Sequence, residues 1–177
     1  MKRVAAVFAV LLVFGVSAAQ AQEKASGAAS VAGIAGVFHM AHQNIVKAAE
    51  QVPEEKYSFQ PTKEVRTLGA LFAHLADANN FFCSQVSAAP KDYSDKTEKT
   101  AKTKAEIVAA LKASYDACGA AYGALTDAQL SKAINIFGMD MNWAGAFAMN
   151  AGHNWEHYGN IVTYMRLNGM VPPSSQQ

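Results

Sequence analysis

The chain has 177 residues and a formal net charge of +1, with 15 basic and 14 acidic side chains and 51% hydrophobic residues. A near-neutral balance without a clustered basic face excludes nucleic acid as the natural partner, because phosphate recognition needs concentrated positive charge. Two cysteines are too few for a cysteine-based metal site, and after the first segment no apolar run reaches the ~20 residues that span a bilayer.

MKRVAAVFAVLLVFGVSAAQAQ begins with Lys2 and Arg3, continues as an apolar run from Val4 to Val16 and closes on Ala19-Gln20-Ala21. That is the pattern of a secretory signal peptide cleaved after Ala21. The competing reading is an uncleaved anchor, for which the apolar run is short. Removing 21 residues from 177 leaves 156, enough for one domain with a full core, carrying 13 basic and 14 acidic side chains. A periplasmic or secreted protein is expected, out of the membrane once cleaved. Residues 22–29 read as a disordered linker, 30–173 as one bundle and 174–177 as a flexible tail.

Almost nothing after the signal reads as a strand. The spacing of Ile34, Phe38, Ile45, Ala49 and Val52 predicts a first helix over 30–51, ended by Pro53. VPEEKYSFQPTKEV is a loop. Thr67 is the N-cap of a second helix carrying Leu68, Leu71, Leu75, Ala78 and Phe82. KDYSDKTEKTAKTK, where acidic residues interrupt the lysines, reads as a solvated linker. Thr103 and Glu106 form a capping box for a third helix with Ile107, Leu111 and Tyr115 in its stripe, and Thr126 with Gln129 caps a short extra turn. The last helix runs from Asn142 to Asn168 and stops at Gly169, with Pro172-Pro173 beyond. Four helices in one domain make an all-α four-helix bundle the expected fold.

The links on either side of the second helix are long enough to permit crossovers. If the second and third helices run parallel, Cys83 lies about 16 residues into one and Cys118 about 15 into the other, at nearly the same height at ~1.5 Å per residue. If they run antiparallel, the sulfurs sit a couple of turns apart. A disulfide in an exported chain favours the parallel arrangement; two unrelated buried thiols are the alternative.

On the last helix Phe147, Asn150, His153, His157, Ile161 and Tyr164 follow at steps of three and four, so three consecutive members of a buried stripe are polar. His74 lies beside the apolar stripe of the second helix. Three imidazoles facing one interior are costly without partners and suit a divalent metal. HNWEH also fits the H-x-x-E-H pattern of one class of zinc proteases, but no acidic residue follows Glu156 to complete that ligand set. Glu156 is still the one candidate for a catalytic group beside the metal. Asp77, Asn150 and Glu156 are the nearest candidates in sequence for outer partners of the histidines. His42, in line with Phe38 and Ile45, is a fourth ligand, a proton shuttle or a hydrogen-bonded core residue. His39 is unassigned.

RTLGALFAHLADANN, followed at a distance by HNWEHYGNIVTYMRLNGMVPPSS, resembles the DinB-like superfamily of metal-binding four-helix bundles over nearly the whole mature chain. The resemblance implies a bundle with a long crossover between parallel second and third helices. It also implies a divalent metal, often zinc or nickel, held by one histidine of the second helix and an H-x-x-x-H pair of the fourth, here His74, His153 and His157. Some relatives are thiol-dependent S-transferases and isomerases. The signal peptide removes this chain from the cytoplasm, where small thiols are concentrated, and so counts against that chemistry but not against the metal.

Three histidines leave at least one coordination position open, as catalytic sites do. The function expected is that of an exported metal-dependent enzyme, a transferase or hydrolase acting on a small molecule in a pocket lined by Phe82, Trp143, Trp155 and Tyr158. The alternatives are a non-catalytic metal- or ligand-binding bundle, or one that has lost its metal. Pairing into a homodimer through outer helix faces is compatible with such a bundle.

Overall fold

The computed structural model describes residues 31–86 and 96–176. The expected signal peptide and the 22–29 linker lie outside the described residues. Four long helices carry the fold: α1 over 31–51, α2 Leu68–Gln85, α4 Lys104–Gly123 and α6 Trp143–Leu167. Two short helices, α3 Lys96–Thr100 and α5 Asp127–Leu130, and a hairpin of β1 Ala133–Ile136 and β2 Met139–Asn142 complete it. No described helix is long and apolar enough to cross a membrane.

Local chemistry sets the helix ends. The Thr67 hydroxyl accepts from the Ala70 amide at 3.1 Å to start α2. Thr103 and Glu106 form the reciprocal capping box of α4, and the Asn142 side chain accepts from the Gly145 amide at 2.8 Å to start α6. Gly169 adopts φ 70° past the end of α6, and the Met170 amide reaches back to the Met165 carbonyl at 2.9 Å. Ser174 Oγ accepts from the Tyr158 hydroxyl at 3.0 Å, and Gln176 Nε2 donates to Gln51 Oε1 at 2.9 Å.

Contacts in register give the helix directions. Gly69 and Ala73, at the start of α2, line a cleft with Ile107 near the start of α4, and Cys83 near the end of α2 is bonded to Cys118 near the end of α4. The two helices therefore run side by side in the same direction. α6 runs against α2, pairing His157 with His74 and Asn154 with Asn79. At the far end of α1, Lys104 Nζ donates to the carbonyls of Glu50 and Val52 at 2.8 Å and 2.7 Å, satisfying groups that the helix leaves without intrahelical partners. The loop between α1 and α2 folds back tightly: a Cβ on Gly69 would stand 2.9 Å from the Tyr57 ring and 3.1 Å from its carbonyl oxygen.

The centre of the bundle is not wholly apolar. Tyr115 donates to Asn154 Oδ1 at 2.7 Å, and Asn154 Nδ2 donates to Asn79 Oδ1 and the Asn150 carbonyl, both at 2.8 Å. All four side chains are fully or almost fully buried, and burial pushes the Tyr115 phenol far up, so that it stays a donor. This layer lies against the Cys83–Cys118 disulfide, whose Cα atoms are 5.3 Å apart, with Asn150 Nδ2 3.7 Å and 3.8 Å from the two sulfurs.

The hairpin corrects the expectation of a chain without strands. Ile136 pairs with Met139 across a two-residue turn in which Phe137 and Gly138 have φ 53° and 78°, the double positive φ of a type I′ turn. One face is apolar, and Ile136 packs with Phe82 and Ala146 in a small cluster of its own. A second correction concerns KDYSDKTEKTAKTK. Within it, Lys96–Thr100 is helical, and the Asp77 carboxylate of α2 accepts from the Thr97 and Glu98 amides at 2.8 Å and 3.0 Å.

Cross-linking Cys83 to Cys118 closes a loop with a sequence separation of 35, for which chain entropy predicts about 3–4 kcal/mol of stabilisation. Replacing both cysteines with alanine should lower the unfolding free energy by that amount in guanidinium titrations. A change below about 1 kcal/mol would show that the α2–α4 contact does not depend on the cross-link.

Candidate metal centre

The antiparallel packing of α2 on α6 brings three histidines to one point. His153 and His157 are one helical turn apart on α6 and stack their ring positions on the same face. His74 comes to the same place from α2, beside Leu71 and Leu75. The Nε2 atoms converge: His157 Nε2 lies 3.0 Å and His74 Nε2 3.3 Å from His153 Nε2. Ring centroids are 4.4–5.2 Å apart, and one nitrogen from each ring lies within 4.8 Å of the others. His157 is buried, and His74 and His153 are half-buried.

This donor set fits a cation. Three Nε2 lone pairs aimed at one point repel unless a proton or a cation stands between them. The Nδ1 atoms of His153 and His157 are buried without a hydrogen-bond partner among the described residues, whichever ring nitrogen carries the proton. Neutral rings with Nε2 as donor atom are the form that binds a divalent metal. Burial, reinforced by His157, lowers the pKa of His153 to about 4. Burial, reinforced by His74, does the same for His157. Both rings are therefore neutral at pH 7. Exposed Glu156 opposes each shift and Arg66 adds to it.

One acidic residue that the sequence reading missed comes close to the cluster. Glu98, on α3, puts Oε2 3.8 Å from His74 Nδ1 while Oε1 accepts from Arg66 Nε at 3.0 Å. Its side chain is only 23% exposed. It stands in the segment read as a linker, and nothing local in KTEKT signals that α3 is fastened to α2 by the Asp77 carboxylate.

The other candidates sit as follows. Asp77 is spent on the amides of α3. Asn150 belongs to the buried amide layer. His42 is away from the three-histidine point: its ring stacks on Tyr115 at 4.0 Å with an interplanar angle of 11°, beside a cleft between α1 and α4. Burial, then His39, lowers its pKa, and Asp116 opposes them. His39 is exposed and pairs with Gln43 at 3.1 Å. Of the four aromatic residues expected to line a pocket, Phe82 approaches, with its ring 6.1 Å from that of His153. Trp143 lies under Lys132, Trp155 donates to the Val37 carbonyl and Tyr158 bonds Ser174. Those three pack α6 against the hairpin, α1 and the C-terminal turn.

No curated protein matches the sequence. Solved structures share the fold. A DinB-like protein from Bacillus cereus ATCC 10987 superposes with a TM-score of 0.65 at 20% identity, covering 80% of this chain and 94% of its own. YfiT from Bacillus subtilis, described as a probable metal-dependent hydrolase with an unusual four-helix bundle topology, superposes at 0.64 and 18% identity, covering 79% and 88%. A mycothiol-dependent maleylpyruvate isomerase superposes at 0.64 and 11% identity, covering 74% of this chain and 60% of its own. At these identities the likeness establishes the architecture alone. The family model for the DinB superfamily matches residues 38–161, more than half of the sequence and inclusive of all three clustered histidines. The chain belongs to the DinB superfamily.

Proposed function

We propose that the protein is an exported metal-dependent enzyme, a transferase or hydrolase acting on a small molecule, with His74, His153 and His157 holding a divalent cation, zinc or nickel. The observation that carries this reading is the convergence of three Nε2 atoms, with burial keeping the His153 and His157 rings neutral. A cation there supplies Lewis acidity and lowers the pKa of whatever group takes the open position. The protein's own residues set the surroundings: Phe82 shields His153 on one side, and Arg66 with Glu98 brings opposite charges close to His74. The probable metal-dependent hydrolase of the same fold supports the hydrolase alternative.

Export to the periplasm or secretion is supported by the pattern of residues 1–21 and by the Cys83–Cys118 disulfide, since such bonds persist in oxidising compartments. The near-neutral charge supports a partner other than nucleic acid. A homodimer is proposed with no face assigned to it. One observation favours a second reading, a non-catalytic metal or ligand carrier. Glu156 is exposed, and the carboxylate that does approach the cluster, Glu98, has one oxygen held by Arg66 and the other turned to the outer nitrogen of His74 rather than to the three Nε2 atoms.

Elemental analysis of the mature protein, purified without affinity tag or chelator, should find about one divalent metal per chain, absent from a His153→Ala/His157→Ala variant. No metal in the native protein, even after incubation with zinc and nickel, would sink the metalloenzyme reading. The depressed pKa values also give the metal-free protein a defined acid response. Folded His153 and His157 resist protonation until about pH 4, whereas the unfolded chain protonates them near 6.5. Between those values the unfolded state binds more protons, so stability is full above about pH 6.5 and falls as pH drops towards 4. Melting temperatures of the metal-free protein should decline across that window more steeply than those of a His153→Gln/His157→Gln variant. Parallel slopes would contradict the assignment.

A further inference from the structure

We propose that Glu98 is the outer partner of His74, a positioning residue that holds its imidazole with the proton on Nδ1 and Nε2 turned to the cluster, and that α3 exists in this fold to carry it. The inference deepens the metal reading above and rests on it for its purpose, though not for its geometry.

Three observations converge on the assignment. Glu98 Oε2 is a buried carboxylate oxygen with no hydrogen-bond partner among the described residues, and it lies 3.8 Å from His74 Nδ1. A buried carboxylate oxygen left short of a donor is costly, and a short rotation of either side chain brings this one to bonding distance of the Nδ1 proton. That proton is present only in the tautomer that frees Nε2, which is the atom His74 directs at His153. Next, the other carboxylate oxygen is held by Arg66 Nε at 3.0 Å, which fixes the plane of the carboxylate so that Oε2 faces the ring. Finally, α3 is too short to hold its own place. It is tied to α2 by Asp77, whose two oxygens accept from the Thr97 and Glu98 amides, one helical turn along α2 from His74 itself. Ligand histidine, capping aspartate and the short helix they share thus form one unit: α2 supplies the imidazole at 74 and, three residues on, the anchor for the carboxylate that orients it. Outer carboxylates of this kind fix the tautomer of a ligand histidine, and their loss costs about 10–100-fold in metal affinity.

The test uses the mature protein and its Glu98→Gln, Glu98→Ala and Asp77→Asn variants, each first checked by circular dichroism for native helicity. Long-range proton–nitrogen NMR spectra of the metal-free proteins read the His74 tautomer directly, and competition against a chromophoric chelator reads zinc affinity. The expected result is an Nδ1-protonated His74 in the native protein and a mixed tautomer in Glu98→Ala. Zinc affinity should fall about 10–100-fold in that variant. Glu98→Gln, whose amide oxygen can still accept, should lie between, and Asp77→Asn should shift His74 without touching it. A His74 tautomer unchanged in Glu98→Ala overturns the proposal, whatever zinc does. A native protein that binds no zinc while its His74 tautomer follows residue 98 upholds the Glu98 assignment and overturns the metal reading instead.

Discussion

An imidazole or amide that faces the inside of a helical bundle has to be met there, because water cannot reach it and an unmet polar group costs a few kcal/mol. The inner stripe of α6 presents buried Asn150, Asn154 and His157 within two turns, with half-buried His153 among them. The rest of the bundle is arranged to answer them. α2 brings Asn79 to Asn154 and His74 to the two histidines, and α4 brings Tyr115 to the free oxygen of Asn154. The disulfide between α2 and α4 sits at the same level as the amides and holds the two answering helices side by side.

The amides and the histidines are satisfied by different means, and the difference separates scaffold from site. Tyr115, Asn79, Asn150 and Asn154 close most of their hydrogen bonds within the protein and are almost wholly buried, which makes a rigid layer. One turn further along α6 the histidines point like atoms at like atoms, with Nε2 separations of 3.0 Å and 3.3 Å. Burial keeps two of the rings neutral, so the cluster offers lone pairs rather than positive charge. A rigid layer directly beneath three converging imidazole nitrogens is what a preorganised metal site requires, since the ligands must hold their geometry before the ion arrives.

The helix ends and the inward-facing positions of His74, His153 and His157 were legible in the sequence through short-range spacing, while their grouping as one ligand set is what the family resemblance implied. Thr67, Thr103 with Glu106, Asn142 and Gly169 cap their helices through bonds to residues three to five positions away. Helical periodicity likewise placed the histidines on inner faces. The hairpin was missed although Ile134, Ile136, Met139 and Met141 alternate around a two-residue loop. Phe137 occupies a positive-φ turn position where asparagine or aspartate is the usual signal. Its ring stacks on Phe81 at 5.1 Å while remaining largely exposed. α3 was read as linker because its composition is that of a solvated segment. The bonds that hold it run from Asp77, about twenty positions upstream, and no local pattern announces them.

The central claim is that three histidines bind one divalent cation and leave it a coordination position to spare. X-ray absorption at the metal edge of the native, untagged protein measures that most directly. The account predicts a shell with three imidazole nitrogens, recognisable by their outer-ring scattering, together with at least one light, exchangeable ligand that azide or a small thiol displaces. A metal without imidazole scatterers, or one whose shell is closed by protein groups and unmoved by added ligands, would contradict it.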